Sequence, residues 1–330
     1  MPEELPSAPA GAGAAERGGP VAVTVVAGGP EAAKLALDLA AFTAAEAVCL
    51  IGPHGAVEGP AVEGVLTVPA EAATGYRTTG CECCSIRVDV VDGLRLSLRR
   101  RHPPRRALLV THHDAVGVAQ TLLTDPDLTG QTFLDAVIAT CDGPAMATRL
   151  ATGGRLGTEA EMETLAMADA VVVARADRLR PAVVRRVRHA VRGVNRTGPV
   201  RAWVGSPAML GSLLDRRAWH GRMASVHDAR PAPHEAPATV VVDADGPLEA
   251  EGVRAWLDGV LDDHASRLLR LQGELCLVDR ESAVDCLGMR SIVMTQPGRR
   301  LHGTASQVAL VGWGLDRANL AAGLRSHAAP

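Results

Sequence analysis

The feature that most constrains the fold is an alternation of short apolar runs with longer helical patterns. The β-branched run Val21–Val26 leads into Ala27-Gly28-Gly29-Pro30 and then into an Ala- and Leu-rich segment, Glu31–Phe42. This order predicts a buried strand, a glycine turn and a helix. The same alternation continues with strands predicted at Ala107–Thr111, Ala136–Thr140 and Ala170–Ala174 and helices at Val88–Arg101, Thr158–Met167 and Pro181–Val194. We therefore expect an α/β fold whose mainly parallel sheet carries helices on both faces.

The C-terminal third has a different order of elements. A strand at Thr239–Asp243 and a helix at Leu248–His264 precede three strand patterns, and a helix closes the segment. This order predicts a smaller α+β domain. The later strands are expected around Leu268–Val278, Ser291–Thr295 and Gln307–Gly312, and the last helix at Asp316–Leu324.

Composition suggests where the domains divide. Residues 216–237 are rich in Pro and His, which favours a linker, and residues 1–20 are rich in Ala, Gly and Pro, which favours a disordered tail. The predicted domains are therefore 21–215, which contains the α/β alternation, and 238–330.

Charge and cysteine usage restrict the compartment and the partners. The net charge of −3 argues against a general attraction to nucleic acid or to anionic membranes. No apolar stretch reaches the roughly 18 residues of a membrane span, so we expect no membrane association. Of the seven cysteines, three cluster within four residues. This spacing differs from that of a secreted disulfide framework and predicts a metal-binding protein of the reducing cytoplasm.

The clustered cysteines, Cys81, Cys83 and Cys84, are the strongest chemical signal. Thiolates are soft ligands suited to zinc or copper(I), and closed zinc sites favour them. In an extended segment Cys84 would point away from the other two, so convergence needs a turn. The candidates for a fourth ligand are His112, His113, Glu82 or a water. The alternative is that these cysteines are ordinary small buried residues, the role we expect for Cys49, Cys141, Cys276 and Cys286.

A degenerate phosphate-binding loop occupies the first strand–helix junction. The motif G-x-x-x-x-G-K-S/T binds phosphate through backbone amides and lysine, and magnesium through the hydroxyl. Here Gly28 and Lys34 keep their spacing, while Ala33 replaces the second glycine and Leu35 the magnesium ligand. Lys34 is the only lysine in the sequence. The slot is either a vestige or a retained phosphate contact, and Leu35 makes magnesium-dependent hydrolysis unfavourable either way.

These features together resemble the CobW family of P-loop GTPase-like metallochaperones. The resemblance extends from about Val21 to Leu324 and rests on the P-loop slot and on Gly-Cys-Glu-Cys-Cys at 80–84. It is supported by Ala119-Gln120 followed by Thr124-Asp125-Pro126-Asp127-Leu128, by 135–142, by 267–275, and by Gly314-Leu315-Asp316-Arg317. The resemblance implies zinc as the metal and GTP-driven delivery of zinc to a client apo-metalloprotein.

The nucleotide motifs depart from the family pattern. Thr111-His112-His113-Asp114 lacks the acidic residue and glycine of the family's second phosphate segment, and Ala174-Arg175-Ala176-Asp177 replaces the guanine-reading N-K-x-D. Only Asp177 of that motif survives, and it would accept two hydrogen bonds from guanine. The loss of nucleotide motifs beside three intact cysteines predicts a zinc-buffering, zinc-sensing or zinc-delivering protein with weak or lost GTP hydrolysis.

Two further functions stay open at this point. One is an active GTP-dependent zinc metallochaperone that holds GTP, weakly and with magnesium, through Lys34 and Asp177. The other is a non-enzymatic adaptor acting on ribosomes or another partner, for which the arginine runs 99–106 and 185–189 are the relevant feature. Solvated helix faces account for those runs more simply.

Overall fold

The computed structural model of the chain describes residues 19–53, 57, 63, 65–69, 82–112, 114–203, 206–219, 236–278, 280–300 and 305–329. Residues 1–18 of the predicted tail, Cys81, His113 and residues 220–235 of the predicted linker lie outside this description. No helix in the described part combines the length and the apolar character that crossing a membrane requires.

The N-terminal part forms a parallel sheet. Its described strands are β1 (Val21–Ala27), β2 (Val48–Gly52), β3 (Val65–Pro69), β4 (Arg106–Thr111), β5 (Thr132–Asp142), β6 (Ala170–Ala174) and β7 (Val200–Ala202). They lie side by side in the order β3-β2-β4-β1-β5-β6-β7, and every pair is parallel. All seven residues of the central strand β1 are buried, as expected where helices cover both faces.

Helices cover both faces of this sheet, which confirms the predicted fold class. They are α1 (Pro30–Phe42), α2 (Glu82–Leu98), α3 (Ala115–Thr124), α4 (Gly143–Ala151), α5 (Glu159–Met167), α6 (Pro181–Val194) and α7 (Pro207–Gly211). Leu39 of α1 and Leu210 of α7 share one core with Val26. Leu94 of α2 and Leu165 of α5 belong to the other core.

Helix α2 begins six residues earlier than the sequence predicts. It includes Cys83 and Cys84, so this part of the cysteine motif is helical and not extended. Val90, Leu94 and Ser97 are buried at helical spacing. Arg95 forms an ion pair with Asp92 of the same helix and another with Asp125, which follows α3. Packing of the later turns therefore supports a helix whose first turn the local sequence does not predict.

The C-terminal part forms a separate antiparallel sheet. Its elements are β8 (Ala238–Ala244), α8 (Ala250–His264), β9 (Leu268–Leu275), β10 (Ser282–Met289), β11 (Ile292–Arg300), β12 (Ser306–Gly312) and α9 (Arg317–Arg325), with strand order β11-β10-β9-β12-β8. The predicted α+β arrangement is confirmed. Strand β10 was not predicted from the sequence, because Asp285 and Gly288 belong to residue types that are depleted in strands.

One apolar core joins the two sheets. Leu269, Leu287 and Val311 of the second sheet lie in the same cluster as Leu165 and Met167 of α5. On α5, Glu163 also accepts a hydrogen bond from Trp313 at 3.2 Å and pairs with Arg290 at 3.2 Å. The interface between the two parts therefore combines apolar packing with a hydrogen bond and an ion pair.

A buried arginine lies at the centre of this interface. Arg270 of β9, 1% exposed, donates to Asp169 at 2.6 Å and to the carbonyl oxygens of Met167 and Ala218. Its guanidinium lies 3.9 Å from the ring centroid of Trp219, whose indole N–H donates to Asp169 at 2.9 Å. Residues 218–219 of the predicted linker thus take part in the packing. A buried charge of this kind requires its partner.

Helix α5 begins with a reciprocal cap. The Glu161 amide donates to the Thr158 hydroxyl at 3.3 Å, and the Thr158 amide donates to the Glu161 carboxylate at 2.7 Å. We expect Thr158→Ala to lower the free energy of unfolding by about 1 kcal/mol, because an N-terminal amide of the helix loses its acceptor. Urea denaturation measures this change. Thr148→Ala, on an exposed position inside α4, is the control and should stay within about 0.5 kcal/mol; equal effects of the two substitutions would contradict the cap.

Candidate functional site

The parallel register brings several strand ends together at one edge of the large sheet. Ala27 at the end of β1 pairs with Thr111 of β4 and with Ala139 of β5. Asp142 at the end of β5 pairs with Ala174 of β6. The residues that follow these strands must therefore meet at the carboxyl edge, where open α/β sheets bind ligands.

A cavity of about 480 Å³ lies at this edge. Its volume is within the range of small-molecule sites, roughly 300–1,000 Å³. The loop after β1, the ends of β4, β5 and β6, and helices α4 and α5 form its walls. The polar and charged lining residues are Glu31, His112, Thr140, Asp142, Arg149, Glu161, Thr164 and Arg175.

The turn between β1 and α1 is only two residues long. Gly28 has a φ of 138°, and a Cβ at this position would lie 2.3 Å from Thr140 Oγ1, so only glycine fits. Gly29 is the N-cap of α1, and Pro30 opens the helix. A phosphate-binding loop needs several free backbone amides before the helix. Here the helix begins too early to form such a loop, and Pro30 has no amide hydrogen to donate.

The predicted nucleotide-binding residues do not converge on the cavity. Ala33 and Leu35 are buried in the core beneath α1. Lys34 lies in the second turn of α1, where its amine pairs with Asp38 at 3.1 Å and its side chain is 63% exposed. Asp177 is exposed in a 3₁₀ turn. Of the predicted set, only Gly28 is among the described residues that line the cavity.

Arg175 lines the cavity. In the sequence it is only a departure from the N-K-x-D motif, which does not indicate its role in the site. It adopts a left-handed backbone with a φ of 52°, which is uncommon for a non-glycine residue. Its Nε lies 2.9 Å from Asp142 Oδ1 and 3.1 Å from Glu31 Oε1, and a terminal nitrogen donates to Asp142. The guanidinium of Arg175 is thus shared between two carboxylates at the mouth of the phosphate slot.

A second arginine is engaged on the opposite wall. Arg149 donates to the Leu156 carbonyl at 2.7 Å and to Glu161 at 3.2 Å. With a neutral His112, the three carboxylates and two guanidinium groups lining the cavity give a formal charge of minus one. Such a wall disfavours a polyphosphate, because the repulsion between like charges becomes stronger when the water between them is displaced. Two features of the sequence could have indicated this charge balance. Glu31 lies in the first turn of α1, and Arg175 stands where the N-K-x-D motif has its lysine.

The cysteine in the cavity wall is held as a protonated thiol by its surroundings. Burial, followed by the negative charges of Asp142 and Glu161, raises the pKa of Cys141 to about 12. Burial likewise raises the pKa of Cys49 to about 11 and of Cys286 to about 12. These three and Cys276 are buried and not disulfide-bonded, in agreement with the structural role expected from their isolation in the sequence.

The predicted metal ligands lie largely outside the described side chains. The backbone of Cys83 and Cys84 is in the first turn of α2, while Cys81 and His113 are not described. His112 follows β4, and its Nδ1 lies 3.2 Å from the Gly28 carbonyl oxygen. Among the side chains that the structure describes, no group of three His, Cys, Asp or Glu residues has metal-binding geometry. The cysteine site therefore stays a prediction.

A family model matches the middle of the chain. Residues 62–201 match the model described as CobW/HypB/UreG, nucleotide-binding domain. The match contains the cysteine motif, strands β4 to β6 and the cavity walls formed by α4 and α5.

Solved structures resemble nearly the whole chain. The zinc-bound YjiA GTPase from E. coli is 17% identical, with a TM-score of 0.70, covering 93% of this chain and 99% of that chain. A zinc-bound triple mutant of YjiA gives 18% identity, a TM-score of 0.70 and the same coverage. At this level of identity the likeness concerns the fold, a P-loop GTPase-like domain followed by a second domain.

Proposed function

We propose, from the CobW/HypB/UreG family of nucleotide-binding domains to which residues 62–201 belong, that this chain is a zinc-handling protein without effective GTP hydrolysis. It buffers, senses or hands on zinc through Cys81, Cys83 and Cys84. Its expected partner is a client apo-metalloprotein. The observation that carries the proposal is the Arg175 ion pair with Glu31 and Asp142, which occupies the mouth of the slot where a phosphate would need positive charge.

The donor set supports zinc. Three thiols within four residues provide the soft ligands of a closed tetrahedral site. Cys83 and Cys84 are the second and third residues of α2, and Cys81 precedes the helix in the sequence. The zinc-bound state of the YjiA GTPase structure supports the same metal.

We propose His112 as the fourth ligand. A hydrogen bond from Nδ1 of a neutral imidazole to the Gly28 carbonyl would fix the orientation of the ring. Metal-binding histidines commonly fix their tautomer through such a hydrogen bond to a backbone oxygen. In this role His112 would connect the metal site with the glycine turn of the cavity.

The residues of the nucleotide slot do not fit GTP and magnesium. The turn after β1 lacks the length of a phosphate loop, Leu35 is 3% exposed and has no oxygen for magnesium, and Lys34 pairs with Asp38. Hydrolysis depends on positioning and on charge stabilisation at the γ-phosphate. This chain supplies neither at the expected positions.

An active GTP-dependent metallochaperone is the second candidate, because the cavity retains enough volume for a ligand. The two readings differ in how nucleotide affects zinc. Zinc affinity should be measured by competition with a chromophoric chelator, with and without GTP and magnesium. We expect one tightly bound zinc and the same affinity in both conditions. A shift of tenfold or more, about 1.4 kcal/mol of coupling, together with GTP hydrolysis lost in Lys34→Ala, would establish the second candidate instead.

A further inference from the structure

The outer side of α6 carries uncompensated positive charge. Residues 178–201 contain eight arginines and no Asp or Glu. We call the six exposed ones the arginine face: Arg178, Arg180, Arg185, Arg186, Arg192 and Arg201. In the described part of the chain, no carboxylate lies within ion-pairing distance, 4.0 Å, of any of the six.

The neighbouring elements do not neutralise the arginine face. Helix α4 and strand β7 contain no acidic residue. On α5, Glu161 is engaged by Arg149 and Thr158, and Glu163 by Arg290 and Trp313. Glu159, the third acidic residue of α5, is exposed in its first turn.

One arginine of α6, Arg188, has a lowered pKa. Partial burial, followed by the charges of Arg192 and Arg201, lowers the pKa of Arg188. Moreover, Arg180 is the N-cap of α6 and Arg178 precedes it. Cations at a helix N-terminus oppose the macrodipole and destabilise the helix. An anionic partner over this face would therefore stabilise the helix.

The outer side of α8 is its counterpart. Residues 245–263 contain six carboxylates and one arginine, Arg254. We call the six the acidic face, and all of them are exposed: Asp245, Glu249, Glu251, Asp258, Asp262 and Asp263. No described cation lies within 4.0 Å of them.

The C-terminal part of the acidic face is unfavourable for its own helix, whereas Glu249 and Glu251 lie at the N-terminus, where the macrodipole favours negative charge. Asp262 and Asp263 lie in the last turn of α8, where the macrodipole is negative. The two helices are nearly equal in length, about 21 Å for α6 and about 22 Å for α8 at 1.5 Å per residue. Each presents charge of predominantly one sign along its exposed side, with Arg254 as the exception on α8.

We propose that the arginine face of one copy of this chain docks on the acidic face of a second copy. The pairing places six guanidinium groups opposite six carboxylates, with charge-assisted hydrogen bonds between them. Because different surfaces meet, the contact is heterologous and forms either a reciprocal pair or a longer chain. The complementary surface is present at the same concentration as the arginine face, whereas a nucleic-acid partner is disfavoured by the net charge of −3. The proposal does not depend on the metal site.

Analytical ultracentrifugation of the full chain at roughly 100 µM, above the micromolar dissociation constants typical of weak interfaces, tests this contact. We expect association at about 0.1 M salt and its loss at about 1 M, because the screening length falls from about 10 Å to about 3 Å. The variant R185E/R186E/R192E should weaken association at least tenfold. The control R99E/R100E/R101E makes the same change of net charge at three exposed arginines elsewhere and should associate like the wild type.

A mixture of two variants makes the test specific. D258R/D262R/D263R should also fail to self-associate, because three of its six acidic positions become positive. An equimolar mixture with R185E/R186E/R192E should associate, because the native arginine face of the first variant meets the native acidic face of the second. Circular dichroism verifies that each variant is folded. A monomeric wild type at low salt, failure of the mixture to associate, or association abolished by nuclease would overturn the proposal, the last because nucleic acid would then be the occupant.

Discussion

Replacement of Cys81, Cys83 and Cys84 together by serine is expected to abolish tight zinc binding. The three thiolates are the only clustered soft ligands in the sequence, and a hydroxyl does not replace a thiolate as a zinc ligand at neutral pH. We expect the affinity to fall by at least a thousandfold, about 4 kcal/mol. An anaerobic titration against a chromophoric chelator measures both the stoichiometry and the affinity.

Cys141→Ser is the matched control for that experiment. Cys141 lines the cavity, and burial raises the pKa of its thiol to about 12, so it should contribute nothing to zinc affinity. Zinc uptake should also weaken as the pH falls, because protons compete for the three thiolates. Equal zinc binding by the wild type and the triple variant would mean that the clustered cysteines are packing residues and that the proposed function is wrong.

Replacement of Arg270 by methionine is expected to have the largest effect on stability. Asp169 would keep its hydrogen bonds from Trp219 and Val137 but would lose its only described ion-pair partner in a site where its side chain is 5% exposed. Breaking a buried ion pair by removing one partner costs about 3–5 kcal/mol. Urea denaturation followed by the fluorescence of the four tryptophans, Trp219 among them, should show this loss.

Arg267→Met provides the control, since Arg267 is exposed and directly precedes β9. Its effect should stay within about 0.5 kcal/mol. Asp169→Asn completes a double-mutant cycle with Arg270→Met, and the pair should show a coupling energy of at least about 1 kcal/mol. A change below about 1 kcal/mol in Arg270→Met alone would show that the two sheets are held by apolar contacts, with no net contribution from the ion pair.

The sequence predicted the elements of the fold where local pattern and tertiary environment agree. Val21–Val26, Ala136–Thr140 and Ala170–Ala174 are apolar except for Thr24 and Thr140, because the parallel strands that contain them are buried on both faces. Residues 181–194 were predicted as a helix because Val187, Val191 and Val194 recur at helical spacing. The secondary structure of these segments follows from the pattern of their own side chains.

Prediction failed where distant residues stabilise an element. The start of α2 is helical because later turns pack and because Arg95 binds Asp125, thirty residues away. Strand β10 forms through pairing with β9 and β11, although its own composition disfavours a strand. Neither interaction is present in the local sequence.

The sequence by itself determined the chemistry of this protein: three thiols within four residues, a nucleotide motif without its second glycine and hydroxyl, and one lysine that pairs with Asp38 one helical turn away. Only the tertiary structure decided which charged groups meet at the cavity. It brought Arg175 between Glu31 and Asp142. The physical reason is that a motif fixes the identity and spacing of groups along the chain, whereas charge neutralisation depends on which strand ends meet at the edge of the sheet. That meeting is set by the parallel register of β1, β5 and β6.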